Sequence, residues 1–465
     1  MTSSARIVAD RYLDSVLLMR LAQRLTALGG IEDAAAVMGT DGNKQLLAEG
    51  GFTAPELAAA DADDLVVVVK AADTTAAAAA LGQIDALLAE PDGSQTSLTV
   101  ARTLDAALAL QPATNLALIS VPGEHAAAEA RRALERGLHV FCFSSNVALE
   151  DEIELKRLAR ERGLLCMGPD CGTAIVGGVG LGFANVVRRG PVGVVAASGS
   201  GLQAVTSLLD RFGVGISHAI GTGGRDVRDE IGGPTMLAGL QALLGDPDTK
   251  AILLLSKPPG PATAERLRSA AADTPKPVLT CFLDETTLEE AARAAAEEVG
   301  VRPPDLPAPS ALPAPARPGR LLGLYAGGSL AYEAELVLRR AGVEGEILDL
   351  GSEQLTRGRP HPMLDSRERN ARLRAAAEAG DTAIILVDVV LGYGAAADPA
   401  GDIADAVRAA TDAGILVLGS VCGTQADPQG LAAQEETFAR AGAILFLTNA
   451  AAAAAAARLV AEGTR

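Results

Sequence analysis

Strand-length apolar runs recur along this chain, and they do not alternate with polar residues: Leu65–Val69, Leu116–Val121, Val192–Ala196, Ala251–Leu255, Ile384–Val387 and Ile415–Leu418. Turns and Ala- and Leu-rich stretches with helical character follow them. A strand that is apolar on both faces belongs in a parallel sheet with helices on both sides. The pattern predicts an α/β fold built of several doubly wound parallel-sheet domains. At 465 residues the chain exceeds what one hydrophobic core supports, so about three or more domains are expected.

Composition places the boundaries. Residues 1–95 read as a small α/β domain that ends at the polar Pro91-Asp92-Gly93-Ser94-Gln95. A second unit spans 96–187, a third 188–300 and a fourth 320–465. A Pro-rich, semi-rigid linker occupies 301–319. The Ala450–Ala457 tract reads as part of a terminal helix. The net charge of −18 excludes a general nucleic-acid binder and a protein docked on anionic membranes. The longest uncharged stretch, Gly190–Leu209, has Ser198-Gly199-Ser200-Gly201 at its centre, a turn rather than a membrane span. Cys142, Cys166, Cys171, Cys281 and Cys422 form no CxxC or Cys/His cluster, so neither a metal site nor a disulfide framework is expected. Reduced thiols and the lack of a signal-peptide core around Asp10 and Asp14 predict a cytoplasmic protein.

The third and fourth units carry matched turns. Val192–Ala197 leads into Ser198-Gly199-Ser200-Gly201 and a helix; Leu321–Ala326 leads into Gly327-Gly328-Ser329 and a helix. The first N–H groups of a helix are unpaired and its dipole favours an anion, while glycine lets a ligand approach the backbone. The two turns are therefore expected to face one phosphate. Gly221-Thr222-Gly223-Gly224-Arg225 offers a further ring of N–H groups with a guanidinium in reach. Neither GxGxxG nor a P-loop occurs in proper context, so neither NAD nor a Walker-type ATP site is expected.

Three residues are candidates for covalent or acid–base chemistry. Cys171 and Cys422 each follow a strand and precede glycine, where α/β sites form. His361 sits in the loop Arg357-Gly358-Arg359-Pro360-His361, which reads as a substrate-binding loop with Arg357 and Arg359 as ligands. Gly423 and Thr424, next to Cys422, are further substrate-binding candidates.

Residues 104–299 resemble the α subunit of succinyl-CoA synthetase. The resemblance rests on Ser120-Val121-Pro122, Gly168-Pro169-Asp170-Cys171, Val192–Leu202, Gly221-Thr222-Gly223-Gly224 and the approach Asp246–Ile252. The fourth unit resembles the carboxy-terminal domain of the β subunit. This implies a Rossmann-like, CoA-binding-type domain over 96–187 and flavodoxin-like ligase domains over 188–300 and 320–465. With its N-terminal unit, Gly392-Tyr393-Gly394 and Ser420-Val421-Cys422-Gly423-Thr424, the whole chain resembles the FdrA family. One branch of that family is similar to a subunit of oxamate carbamoyltransferase in purine breakdown. In the superfamily, two helix N-termini face a phosphorylated histidine, and they would map onto Ser198–Gly201 and Gly327–Ser329.

Two departures shape the expected function. After Pro277–Phe282 the residues are Leu283-Asp284-Glu285-Thr286-Thr287, with no histidine to carry phosphate. No Gly-rich turn precedes Leu104, so a CoA site lacks its usual opening turn. The leading expectation is a carbamoyltransferase subunit that moves a carbamoyl group between a small amide-type substrate and phosphate through carbamoyl phosphate. It would work with other transferase subunits or as a homo-oligomer. The alternatives are a nucleotide-dependent acyl-CoA synthetase and a non-catalytic scaffold.

Overall fold

The computed structural model describes residues 2–13, 15–89, 101, 103–306, 309, 312–356 and 360–463. The chain forms two compact units, one of Met1–Thr114 with Thr356–Pro360 and one of Asn115–Leu355 with His361–Arg465.

In the smaller unit β1 (Thr2–Val8), helix Ser15–Thr26 and β2 (Ile31–Met38) make a split βαβ motif. β3 (Leu65–Ala71) is inserted between the two strands, antiparallel to both. The parallel-sheet expectation for Leu65–Val69 is corrected here. Leu65, Val67 and Val69 pack with Leu21, Leu25 and Ile84 on one face. Val66 and Val68 pack with Leu47, Phe52 and Leu57 on the other. Helical cover on both faces, not parallel pairing, makes the run continuously apolar. The expected boundary at 95/96 lies outside the described residues.

The larger unit holds three sheets. β4 (Leu116–Ile119), β5 (His139–Cys142) and β6 (Cys166–Met167) are parallel, with β4 at one edge. The second sheet contains β7 (Thr173–Val176), β8 (Val179–Gly182), β9 (Arg189–Ala197), β10 (Ile216–Gly221), β11 (Ala251–Ser256) and β12 (Val278–Phe282). Its order is β12-β11-β9-β10-β7-β8, with β9 to β12 parallel. The β7–β8 hairpin, expected within 96–187, joins this sheet antiparallel through β10. Gly177 and Gly178, with φ of 60° and 86°, make its two-residue turn. The third sheet is wholly parallel: β13 (Arg320–Tyr325), β14 (Glu346–Asp349), β15 (Thr382–Val390), β16 (Leu416–Cys422) and β17 (Ile444–Phe446), in the order β14-β13-β15-β16-β17.

The last two sheets reverse direction beside β9 and β13, the strands that carry the matched turns. Crevices outside the carboxyl ends of strands at such reversals are where α/β folds bind ligands. In the linker, the Arg317 guanidinium donates to the carbonyls of Thr382 and Ala376; Pro307, Ala308, Ser310 and Ala311 lie outside the described residues. Ala450–Ala457 lies in the helix Asn449–Gly463. No helix among the described residues is long and apolar enough to cross a membrane, and Gly190–Leu209 divides into strand, turn and helix.

Candidate functional site

The matched turns meet. Helix Gly199–Arg211 starts at Ser198, whose extended backbone lets its Oγ accept the Gly201 N–H at 3.0 Å. Helix Gly328–Arg340 starts at Gly327. There the N–H groups of Ala326 and Gly327 donate to the carboxylate of Asp388, each at 2.7 Å. Asp388 is fully buried and paired with Arg369. Burial raises its pKa, opposed by Arg369 and the two N–H groups. Ser198 Oγ hydrogen-bonds Ser329 Oγ, and the Ser329 N–H donates to Ser200 Oγ at 3.1 Å. A Cβ on Gly201 would lie 3.2 Å from the Ser329 Cβ, and one on Gly327 would lie 3.0 Å from the Ser200 Cβ. The expectation of one phosphate between the turns is corrected. Ser198, Gly201, Gly327 and Ser329 fill that space by capping and packing each other. The N–H groups of Gly199, Ser200 and Gly328, all three residues half-buried, are left at the rim.

A charged pair that sequence reasoning missed borders that rim. Lys257 follows β11, with its Nζ 3.3 Å from Asp349 Oδ2 and 4.7 Å from the centroid of the Tyr332 ring. A Cβ on Gly328 would lie 2.3 Å from Asp349 Oδ2 and 2.9 Å from Lys257 Nζ. Glycine is what lets this pair lie against the start of the helix. Behind it, His361 Nδ1 accepts the Met363 N–H at 3.2 Å, and its ring stands 5.9 Å from that of Phe183. Burial lowers the His361 pKa to about 4, and the nearby Asp349 charge pulls only weakly the other way. A proton acceptor with that pKa is a poor general base at neutral pH. Arg357 and Arg359 lie outside the described residues.

The Gly221–Arg225 loop is tied down rather than open. The Thr222 N–H donates to the Ala196 carbonyl at 2.9 Å, and the Gly223 N–H faces the Cys171 sulfur. A Cβ on Gly221 would lie 2.2 Å from the Thr173 carbonyl oxygen. Arg225 is ion-paired with Glu152 at 2.8 Å and donates to the Val147 carbonyl. Lys156, fully buried, donates to the Thr222 carbonyl at 2.9 Å and to Asp226 at 2.6 Å, and lies 3.2 Å from Glu152. This network joins the helix Leu149–Glu161 to the loop. Gly221, Thr222, Gly223 and Arg225 are therefore structural, and only Gly224 is exposed.

Gly423 and Thr424 are also corrected. The Gly423 carbonyl accepts from Arg211, the Thr424 N–H donates to Asp427, and the Thr424 hydroxyl donates to the Val186 carbonyl. They tie the end of β16 to Val186, just before β9, and to the helix Gly199–Arg211 that follows it. Cys171 and Cys422 are buried, and burial pushes each thiol up to about 12. A thiol must ionise to attack, so both are withdrawn as nucleophiles. Native protein at pH 8 is expected to resist iodoacetamide at both positions, while denatured protein labels fully. Rapid native labelling of either, located by mass spectrometry, would reverse this assignment.

Residues 1–103 match the family model described as AllF, heavy metal-associated domain. Residues 324–459 match the model described as CoA-ligase. The chain is 37% identical to the uncharacterized protein YahF of Escherichia coli K12, over 94% of this chain and 95% of that one. It is 29% identical to the α subunit of the ADP-forming succinate–CoA ligase of Aquifex aeolicus, over 35% of this chain and 54% of that subunit. The match thus spans about half of that subunit's length. Among solved structures, the dinucleotide-forming acetyl-coenzyme A synthetase 1 of Ca. Korarchaeum cryptofilum aligns with 80% of this chain and 87% of its own, at 17% identity and a TM-score of 0.34. Residues 1–103 contain neither Cys nor His, and no group of three or more His, Cys, Asp or Glu that could hold a metal ion occurs among the described residues.

Proposed function

The chain belongs to the family of YahF, and from that premise we propose that it is an acyl-CoA ligase-type enzyme exchanging an acyl group between phosphate and the thiol of CoA. The carbamoyl-transfer expectation is overturned by the CoA-ligase match over 324–459 and by the succinate–CoA ligase relatives.

The observation that carries the proposal is the rim where two matched helix N-termini meet beside Lys257. An acyl phosphate would present its phosphoryl oxygens to the N–H groups of Gly199, Ser200 and Gly328 and to the Lys257 ammonium. Asp349 would hold that ammonium in place. In the exchange the CoA sulfur attacks the acyl carbon and a C–S bond forms. The C–O bond to phosphate breaks, and phosphate leaves with the thiol proton. Lys257 and the N–H groups stabilise the charge gathering on the departing phosphate. CoA would approach from the carboxyl edge of β4 and β5, where Pro122 starts the helix Gly123–Glu135. Thioester formation from CoA and a panel of short-chain acyl phosphates tests the reading. Turnover that falls at least about tenfold in Lys257→Ala supports it. No thioester from any member of the panel removes it.

A complete nucleotide-dependent ligase would need a phosphoryl carrier. Leu283–Thr287 supplies no histidine, and the Ser198–Ser329 contact fills the space between the helix starts. No acid-labile phosphoenzyme is therefore expected after incubation with labelled ATP. A stoichiometric acid-labile label would restore the complete ligase cycle.

A further inference from the structure

Three rings form a row beside the rim. Phe143 follows β5 directly, and its N–H donates to the Ile119 carbonyl at 2.8 Å. Phe183 follows β8 directly, and its N–H donates to the Gly172 carbonyl at 2.8 Å. The Phe183 ring lies 5.7 Å from that of Phe143 and 5.9 Å from that of His361. Phe183 is buried, while Phe143 and His361 are half-buried, so the row keeps accessible surface at both ends. Gly394, with φ of 82°, lets the loop after β15 close on the middle ring, since a Cβ there would lie 3.0 Å from Phe183 Cδ1.

Glycines join the row to the rim from both sides. A Cβ on Gly172 would lie 3.8 Å from Phe183 Cδ2, and one on Gly199 would lie 4.0 Å from the Gly172 Cα. On the other side, a Cβ on Gly351 would lie 2.7 Å from His361 Nε2, and the Gly351 N–H donates to Asp349 Oδ1 at 3.0 Å. The row thus runs from the rim at Gly199 and Asp349 to the carboxyl end of β5.

Resting on the acyl exchange proposed above, we infer that Phe143, Phe183 and His361 wall the acyl site, and that the acyl group it takes carries no second charge. The acyl carbon has to lie between phosphate at the rim and the CoA sulfur arriving from the β5 side, and the row spans that interval. It offers apolar surface to a chain. His361 adds no positive charge at neutral pH, because burial holds its imidazole neutral. Among the described residues, the cations around the row are already engaged: Arg225 by Glu152, Arg369 by Asp388, and Lys257 by Asp349 and the phosphoryl group. The Asp349 charge is felt at His361 and would repel a second carboxylate placed there. A carboxylate against this wall would lose water without gaining a partner.

Butyryl-CoA and succinyl-CoA carry acyl chains of equal length that differ in a terminal carboxylate. In the reverse exchange, arsenate replaces phosphate. An arsenate oxygen attacks the thioester carbon, the C–S bond breaks, and CoA leaves as the thiol with the proton that arsenate gives up. Water then hydrolyses the acyl arsenate and draws the exchange forward. Arsenate-dependent loss of thioester by the full chain is expected to show a kcat/KM at least about tenfold higher for butyryl-CoA. Phe143→Arg puts a guanidinium at an accessible end of the row and is expected to shift that ratio about tenfold toward succinyl-CoA. Because the ratio is read within one protein, a general loss of activity cancels. Equal or better use of succinyl-CoA by the wild type, or an unchanged ratio in Phe143→Arg, would overturn the inference and leave the exchange reading standing. Cleavage of neither thioester would remove both.

Discussion

Lys156→Ala is expected to destabilise the larger unit by about 3–5 kcal/mol, the cost of leaving buried charge without its partner. Lys156 is 2% exposed and lies within 2.6 Å of Asp226 and 3.2 Å of Glu152. Burial alone would lower its pKa, but the charges of Asp226 and Glu152 overcome this and hold it above the ordinary value. Without the ammonium, Glu152 retains Arg225, whereas Asp226 loses its cation and retains the N–H groups of Thr235 and Met236. Asp226→Asn in the same chain should return part of the loss, because it removes the charge left behind. Denaturant unfolding of the single and double variants checks this. A loss below about 1 kcal/mol for Lys156→Ala would mean that water reaches the network, as at a surface pair.

Gly328→Val should lower acyl-exchange turnover by about a hundredfold, the loss of one or two charge-assisted hydrogen bonds to a phosphoryl group. The new Cβ would fall 2.3 Å from Asp349 Oδ2 and 2.9 Å from Lys257 Nζ, so the pair must move off the rim. Both are ends of side chains with room to shift, being 21% and 38% exposed. The melting temperature should therefore fall far less than the rate. Turnover against acyl phosphate concentration, with a melting curve alongside, separates the two effects. A folded variant with wild-type turnover would show that the rim holds no substrate.

The grammar of the larger unit was legible because several of its parallel strands contain unbroken apolar runs, such as Ala251–Leu255 and Ile384–Val387. The same reasoning misjudged β3, since helical cover on both faces produces the same composition in an antiparallel strand. The Gly177-Gly178 dipeptide was a readable hairpin signal, but the sheet it would join was not readable. The turns at Ser198 and Gly327 were found by their repetition, yet their mutual capping depends on contacts 129 and 131 residues apart. Arg225 looked available because its partner Glu152 lies in a distant helix and nothing near Arg225 in the sequence signals the pairing. Lys257 left a usable trace: it is one of six lysines in an arginine-dominated chain and it follows an apolar strand directly.

The reciprocal capping at Ser198, Ser200 and Ser329 bears on how this internal duplication can be taken apart. Each copy's first helical turn finds an acceptor or a donor in the other copy, so severing the chain within 301–319 would strand polar groups on both fragments. A nascent chain that has finished only the earlier copy exposes Ser200 with its counterpart still unmade. Transplanting the later copy into another protein would require a new acceptor for the Ser329 N–H, whereas the earlier copy carries its own cap in Ser198.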